Sequence, residues 1–424
     1  MSKIQAVRGM NDILPDHINK WYFFENAVKH TLKSYGYQEV RLPIVEKSEL
    51  FYRGIGTATD IVEKETYNFI DKNGEALTLR PEGTAGCVRA IIEHGLLRNQ
   101  IQKLWYTGPM FRYERPQQGR YRQFHQLGVE VYGNNHNAQD AEIISLTWQL
   151  WKVLGINQHV TLELNNLGTT KNRANYVKAL IAYLMPIKNQ LDKDSQRRLS
   201  KNPLRILDSK NEQTQKLLDN GPNLSDFIDN DLKQNFNSLV TYLRKLDIKI
   251  KVNERLVRGI DYYCNTVFEW ITDKLGAQAA VCAGGRYNTL VSDLHGLETP
   301  AVGFAIGIER IILLMETLNL FPTSTKNVDV YVITDDKSIF NTMLLIEKLR
   351  QILPKLIIEQ NIALSSFKSQ FKKADKSGAQ LALVVAEEEI RNNTCVIKFL
   401  REGKPQVIIP QSELPTYIHT LFSS

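Results

Sequence analysis

The amino-acid sequence predicts an α/β chain of the α+β kind: a mixed sheet covered by helices, interrupted by a helical insertion and followed by a smaller α/β domain. Three observations predict it. Short stretches of period-two alternation recur up to residue 164, residues 169–247 lose that alternation for helical spacing, and after residue 321 strand and helix patterns alternate. At 424 residues, 43% hydrophobic and 23% charged, the chain has room for two or three domains and a large core, which excludes overall disorder.

In chain order, strand patterns fall at 38–42, 76–79, 104–111, 128–132 and 160–164, with helical stretches at 83–97 and 138–154. From 169 to 247 the composition turns polar and rich in Lys, Asp and Asn. Tyr176, Leu180, Tyr183 and Leu184, then Phe236, Leu239, Leu243 and Leu246, recur there at helical spacing. Strands resume at 248–252, 266–271, 279–283 and 301–305, the last feeding a helix at 309–318. Phe321, Pro322, Thr323, Ser324 and Thr325 form a turn-rich break, so a first domain is expected over 1–322, interrupted by 169–247, and a second over 326–424. In the second, strands are expected at 328–333, 363–367, 381–385, 396–399 and 407–409, with a helix at 337–353.

The formal charge of +7 favours a polyanionic partner without requiring one. Cys87, Cys264, Cys282 and Cys395 lie far apart, with no CxxC pair and no His at zinc-ligand spacing, so reduced structural thiols are expected and no metal ligands are assigned. The start, MSKIQAVRGMNDILPDH, has no secretory pattern, and nowhere do 18 apolar residues run together. A soluble cytoplasmic protein with no membrane contact is the expectation.

The segment FRYERPQQGRYRQFHQLGVEVYG, 111–133, sets Arg112, Arg115, Arg120 and Arg122 beside Glu114 and Glu130. Arginines at a strand end and in its loop present planar donor forks suited to the oxygens of a bent nucleoside triphosphate. On residue counts alone, a solvated hairpin with surface ion pairs serves equally well. GFAIGIER, 303–310, joins an apolar strand to a helix through two glycines, letting backbone approach a ligand with Arg310 in the first helical turn. Standing alone it is also an ordinary buried corner, since no GxxxxGK[ST] loop accompanies it. YQEVRLP, 37–43, ends in Pro43, which could simply terminate a strand.

These segments resemble motifs 2, 3 and 1 of the class II aminoacyl-tRNA synthetases. LVRGIDYY, 256–263, and AGGRYN, 283–288, resemble two peptides peculiar to the histidyl-tRNA synthetase family of bacterial type, and the likeness runs from about Ile4 to the C-terminus. The resemblance implies a class II antiparallel-sheet catalytic domain with a helical insertion, plus a C-terminal α/β anticodon-binding domain. It further implies a ligase that joins L-histidine and ATP into histidyl-adenylate and pyrophosphate, then moves histidine to the 3′-terminal adenosine of tRNA(His). Mg2+ as cofactor and a homodimer built through motif 1 come with it.

By the same resemblance, Arg112 holds the ATP α-phosphate and the histidine carboxylate, Glu114 orients the adenine, Arg120 binds ATP and Arg310 grips the γ-phosphate. Arg115 and Gln117 meet the tRNA acceptor end. Glu82 and Thr84 of LRPEGT, with Gln126, face the α-ammonium of histidine, Glu130 and Tyr263 meet the imidazole, and Tyr262 lines the pocket. LRPEGT also reads as a strand end before a helix capped by Thr84. Arg258, which also touches histidine, is the expected catalytic cation alongside Arg112: it offsets the repulsion between carboxylate and phosphate oxygens that grows in the transition state. Transfer needs no protein nucleophile, in keeping with the lack of a Ser/His or Cys/His signature. A pocket that hydrogen-bonds its substrate rejects isosteres by roughly 10⁴–10⁵, so no editing domain is expected. Asn288 departs from the family, where aspartate usually follows GGRY, which puts in doubt a charge behind the pocket wall.

Lys368, Lys372, Lys373 and Lys376 are spaced to share a helix face, interleaved with Phe367 and Phe371, which resembles an anticodon-binding surface of charge and stacking; a solvated lysine face fits too. NPLRILDSKN, 202–211, is also family-like, and the insertion is expected to clamp the acceptor arm. A regulatory paralogue of the family binds histidine without charging tRNA, but typically lacks the C-terminal domain and the catalytic residues kept here as Arg112, Arg258 and Arg310.

Overall fold

The computed structural model describes residues 3–56, 59, 61–98, 100–276, 280–322, 328–362 and 365–422. They fall into two compact units, Met1–Phe321 and Pro322–Ser424.

The first unit opens with helix Pro15–Ser34. Pro15 supplies a preset φ at a position whose N–H has no helical partner, and Trp21, Phe24, Val28 and Leu32 recur at helical spacing to form the buried stripe. The strands follow as β1 (Gln38–Glu39), β2 (Val45–Lys47), β3 (Tyr67–Ile70), β4 (Ala76–Leu79), β5 (Gln102–Phe111), β6 (Gln123–Tyr132), β7 (Thr161–Asn166), β8 (Ile250–Val252), β9 (Cys264–Ile271), β10 (Ala280–Arg286) and β11 (Ala301–Gly307). Among the described residues, β1-β5-β6-β11-β10-β9-β7-β8 make one sheet and β2-β4-β3 a small one. Pairing in the large sheet is antiparallel except at its two edges, β1 with β5 and β7 with β8.

Period-two alternation assigns its two faces. Leu127, Val129 and Val131 of β6 and Val302, Phe304 and Ile306 of β11 go to one hydrophobic core, shared with helices Pro15–Ser34, Ala138–Leu154 and Ile308–Thr317. The intervening residues, including Gln126, Gly128, Glu130 and Gly303, belong to the opposite face. Helices Thr170–Leu184, Lys193–Lys201, Glu212–Leu218 and Asn230–Arg244 lie between β7 and β8. Their starts carry local signals: Thr169 and Asn172 form a reciprocal capping box, Asp192 accepts from Ser195 N at 3.0 Å, and Asn211 accepts from Thr214 N at 3.0 Å. The last of these helices returns to the sheet, since Leu239, Val240 and Leu243 join the core beneath Ala138–Leu154.

In the second unit, β12 (Val330–Ile333), β13 (Ile358–Gln360), β14 (Leu381–Val384), β15 (Thr394–Phe399) and β16 (Val407–Pro410) are ordered β13-β12-β14-β15-β16. The first three are parallel and the last two antiparallel. The strand expected at 363–367 is corrected: Ala363 and Leu364 lie outside the described residues, the parallel strand is Ile358–Gln360, and Phe367 begins helix Phe367–Lys376. Phe367, Phe371 and Ala374 have helical spacing, and the buried Gln370 ties that helix to the residue after β12 by donating to Thr334 O at 2.8 Å. Ala279, expected to open a strand, is likewise outside the described residues; β10 is described from Ala280. The four cysteines are free and buried. No helix of the described residues is long and apolar enough to cross a membrane.

Arg286, at the end of β10, is almost wholly buried, with Nε 3.0 and 2.8 Å from the Asp140 carboxylate oxygens and Nη2 2.6 Å from Oδ2. Its remaining donors reach Asn134 O at 3.1 Å and His136 O at 2.8 Å, so each end of the guanidinium is satisfied. Asn288, two residues on, accepts from Ala301 N at 3.2 Å and so braces the start of β11. Substituting Arg286→Met strands a buried carboxylate and should destabilise the first unit by about 3–5 kcal/mol. All five tryptophans lie in that unit, so fluorescence-monitored urea unfolding reads the loss directly; an unchanged midpoint would refute it.

Candidate active site

On the sheet face opposite the main core, a cavity of about 320 Å³ is lined by the end of the β5–β6 hairpin, the turn before helix Thr84–Glu93, residues 258–263, and parts of β9, β10 and β11. Its floor is built around Glu130. Antiparallel pairing sets Glu130 opposite Gly303 on one side and Leu104 on the other. Thr84 Oγ1 and Tyr106 OH each donate to Glu130 Oε1 at 2.9 Å, and Tyr287 OH donates to Oε2. Burial pushes the Glu130 carboxyl up to about 8 against the pull of these donors. A Cβ on Gly303 would fall 1.8 Å from Glu130 Oε2, so only glycine leaves room for that side chain.

Glu82 accepts from Thr84 N at 2.6 Å and Ala85 N at 3.0 Å, holding the first N–H groups of helix Thr84–Glu93. This corrects the local expectation for LRPEGT. Glu82 is the side chain that satisfies the helix start, and Thr84 turns its hydroxyl to Glu130, 46 residues away. Burial pushes the Glu82 carboxyl up, opposed by those backbone donors. Tyr262 and Tyr263 are buried with ring centroids 4.8 Å apart, and Tyr262 packs 5.4 Å from Tyr287. Gln126 Oε1 is buried without a hydrogen-bond partner among the described residues.

At the other end the lining is cationic. Arg112 Nε donates to Pro81 O at 2.9 Å and its guanidinium lies 5.3 Å over the Phe124 ring. Arg120 Nε meets Glu114 Oε2 at 2.7 Å, and reciprocal backbone bonds between Gln117 and Arg120 tighten the hairpin loop. Arg310 reaches Gly119 O at 3.1 Å and Ala280 O at 2.7 Å. Burial lowers its pKa, and Arg120 and Arg112 add to the fall against the opposing pull of Glu114. Arg258 Nη1 donates to Glu269 Oε1 at 2.6 Å, while its Nε is buried with no partner among the described residues. Cations held chiefly by backbone carbonyls keep their charge available to an anion.

The cavity therefore brings together Glu82, Thr84, Arg112, Glu114, Arg120, Gln126, Glu130, Arg258, Tyr262, Tyr263 and Arg310. Arg115 and Gln117 are exposed on the hairpin loop, outside its lining. Lys368, Lys372, Lys373 and Lys376 are exposed on helix Phe367–Lys376 of the second unit. Phe371, beside them, packs against the core of that unit with Lys398 Nζ 4.8 Å over its ring, so Phe367 is the exposed aromatic there.

A family model described as histidyl-tRNA synthetase matches residues 9–311, and one described as anticodon binding domain matches 329–421. The chain belongs to the histidyl-tRNA synthetase family. The histidine–tRNA ligase of Francisella philomiragia is 54% identical over 422 residues, covering 99% of this chain and 100% of its own. That of Francisella tularensis subsp. novicida is 55% identical over 419 residues, with 99% and 100% covered. The apo crystal structure of the Staphylococcus aureus histidyl-tRNA synthetase is 33% identical with a TM-score of 0.82, covering 98% of this chain and 99% of its own.

Glu269, Tyr287 and Glu309 of the lining, and the buried Tyr106 that donates to Glu130 behind it, had no contact assigned from the sequence of this family member. Glu309 accepts from His125 N at 2.8 Å and approaches His125 Nδ1 at 2.9 Å, tying the GIER helix start to β6. The acidic residue inside GIER was its one signal; Tyr106 looked like core alternation. Gly303→Ala should reduce histidine affinity more than tenfold in calorimetry, because its Cβ would also lie 2.7 Å from Val129 O in the neighbouring strand. Affinity within twofold of wild type, in a protein of unchanged circular dichroism, would contradict this packing.

Proposed function

We propose that the cavity performs both steps of charging tRNA with histidine, the reaction of a histidine–tRNA ligase, with the amino acid over Glu130 and the triphosphate among the arginines. The single observation that carries this placement is the pair of buried, unpartnered polar atoms, Gln126 Oε1 and Arg258 Nε: one is an acceptor for an ammonium, the other a donor for an anion.

In this reading Glu82, Thr84 and Gln126 receive the α-ammonium, Glu130 and Tyr263 hold the imidazole nitrogens, and Tyr262 closes the wall. Arg112 bridges the histidine carboxylate and the ATP α-phosphate, Glu114 orients the adenine, and Arg120 and Arg310 take the outer phosphates. Arg258, braced by Glu269, sits between carboxylate and α-phosphate, where negative charge accumulates as the bond to phosphorus forms. Burial raises the Tyr263 hydroxyl to about 12, so it remains a neutral hydrogen-bonding group near pH 7. Mg2+ would be held mainly by phosphate oxygens. Glu114, at the cationic end of the cavity 2.7 Å from Arg120, would be its protein donor.

Arg115 and Gln117, exposed on the hairpin loop, meet the acceptor end of tRNA, and the lysines of helix Phe367–Lys376 meet the anticodon side. Arg197, Lys201 and Arg205 line a basic cleft that shares Arg112 and Arg120 with the active site, which supports the insertion as the clamp on the acceptor arm. The exposed apolar side chains Ile44, Val45, Phe69 and Ile70, near motif 1, support a homodimer. The substrates of translation support work in the cytoplasm.

Histidine alone among the twenty amino acids should support ATP–pyrophosphate exchange with magnesium. Arg258→Ala should lower the adenylation rate by about 10²–10³ with a smaller effect on histidine binding. A rate within threefold of wild type would remove Arg258 from catalysis, and exchange with another amino acid would overturn the pocket assignment.

A further inference from the structure

We propose that Tyr106 is a positioning residue for histidine recognition: with Thr84 and Tyr287 it forms a cradle of three hydroxyls that holds Glu130 and leaves one acceptor site turned to the imidazole. This rests on Glu130 being the imidazole partner.

A carboxylate offers about four lone-pair sites. Thr84 and Tyr106 fill those of Oε1 and Tyr287 takes one on Oε2. The fourth is left for a ligand N–H. Each hydroxyl arrives from a separate element: the start of helix Thr84–Glu93, the middle of β5, and the residue following β10. Tyr106 is held with unusual closeness. A Cβ on Gly83 would lie 2.1 Å from its Cε2, and one on Gly128 would lie 2.1 Å from its Cζ, so the ring occupies a slot between two backbones. With Gly303 beneath Glu130, three glycines on three elements serve one carboxyl group.

The groups facing Glu130 are few in kind. Glu82 comes from the turn before helix Thr84–Glu93, Cys87 from that helix, Tyr132 from the same strand, Tyr37 from the segment before β1, Tyr287 from the end of β10, and Tyr262 and Tyr263 from the segment before β9, with Arg258 beyond Tyr263. Burial drives Cys87, Tyr106, Tyr132, Tyr262 and Tyr287 upward, so all stay protonated near neutrality. Burial also raises Glu130, the hydroxyl donors pull it back and Glu82 pushes it further. Each donor therefore favours the ionised form of Glu130, and removal of one makes the carboxyl hold its proton more tightly.

The test is Tyr106→Phe, which keeps the ring in its slot and deletes only the hydroxyl. In histidine-dependent pyrophosphate exchange, the KM for histidine should rise about tenfold while kcat and the KM for ATP stay within threefold. The limb of the histidine kcat/KM profile set by Glu130 should move to higher pH by roughly half a unit to one unit. In a Glu130→Gln background, which itself raises the histidine KM, adding Tyr106→Phe should change it by less than twofold.

An unchanged KM and pH limb in Tyr106→Phe, with Glu130→Gln impaired, overturns the cradle and leaves Glu130 as the imidazole partner. A normal KM in Glu130→Gln overturns both. An equal tenfold loss in both backgrounds shows that Tyr106 acts elsewhere and also overturns the cradle. If Tyr106→Phe fails to fold, Tyr287→Phe carries the same readouts with the same outcomes.

Discussion

A carboxyl group buried beneath the amino-acid pocket is the constraint around which the site is arranged. An ionisable group in an apolar floor is tolerated when hydrogen bonds surround it, and the donors available here are hydroxyls on aromatic rings and on a helix start. Rings of that size beside a sheet need space, and the backbone supplies it at Gly83, Gly128 and Gly303. The antiparallel register then matters residue by residue: a one-position slip of β6 against β11 would exchange Glu130 for Val129 or Val131 and turn the floor over to the hydrophobic core.

The opposite end of the cavity follows a complementary rule. Arg286, deep in the scaffold, is matched to Asp140 and has no charge to offer. Arg112 is held instead by a carbonyl, which fixes its direction without cancelling its charge, and Arg310 also reaches two carbonyls. One residue type is thus structural where it meets a carboxylate and receptive where it meets dipoles. Arg258 lies between these cases, anchored to Glu269 through one nitrogen with another left open.

Much of this architecture was legible in the sequence, and the departures have physical causes. The helix over 138–154 was readable to its ends because its periodic apolar pattern stops at Gly155, which takes a left-handed conformation at φ 74°. The strand at 76–79 was bounded as clearly. Of the run at 363–367, the described end Phe367 starts a helix, because Phe371 and Ala374 continue it at helical spacing against the core. The motif residues of the cavity were legible because their chemistry is concentrated in short segments. Tyr106 was not, since a tyrosine in a strand reads as packing until the distant carboxylate it serves is in place; Tyr287 stood inside AGGRYN, but its bond to Glu130 was not legible there. Thr84 shows the limit of local reasoning: a residue type that favours helix starts was drawn away by Glu130, leaving the helix start to Glu82.

The order of strands in the large sheet also bears on how the chain is made. β6 lies between β5, which precedes it directly, and β11, which pairs with it from Ala301↔Tyr132 to Gly307↔Gln126. About 170 residues separate these partners, a stretch that a ribosome adds in roughly ten to thirty seconds. For that interval the β5–β6 hairpin is complete while the other hydrogen-bonding edge of β6 is open, carrying Leu127, Val129 and Val131 on one face. An unpaired apolar edge invites pairing with another chain. The nascent protein thus passes through a period of aggregation risk, closed when β11 emerges and completes the sheet.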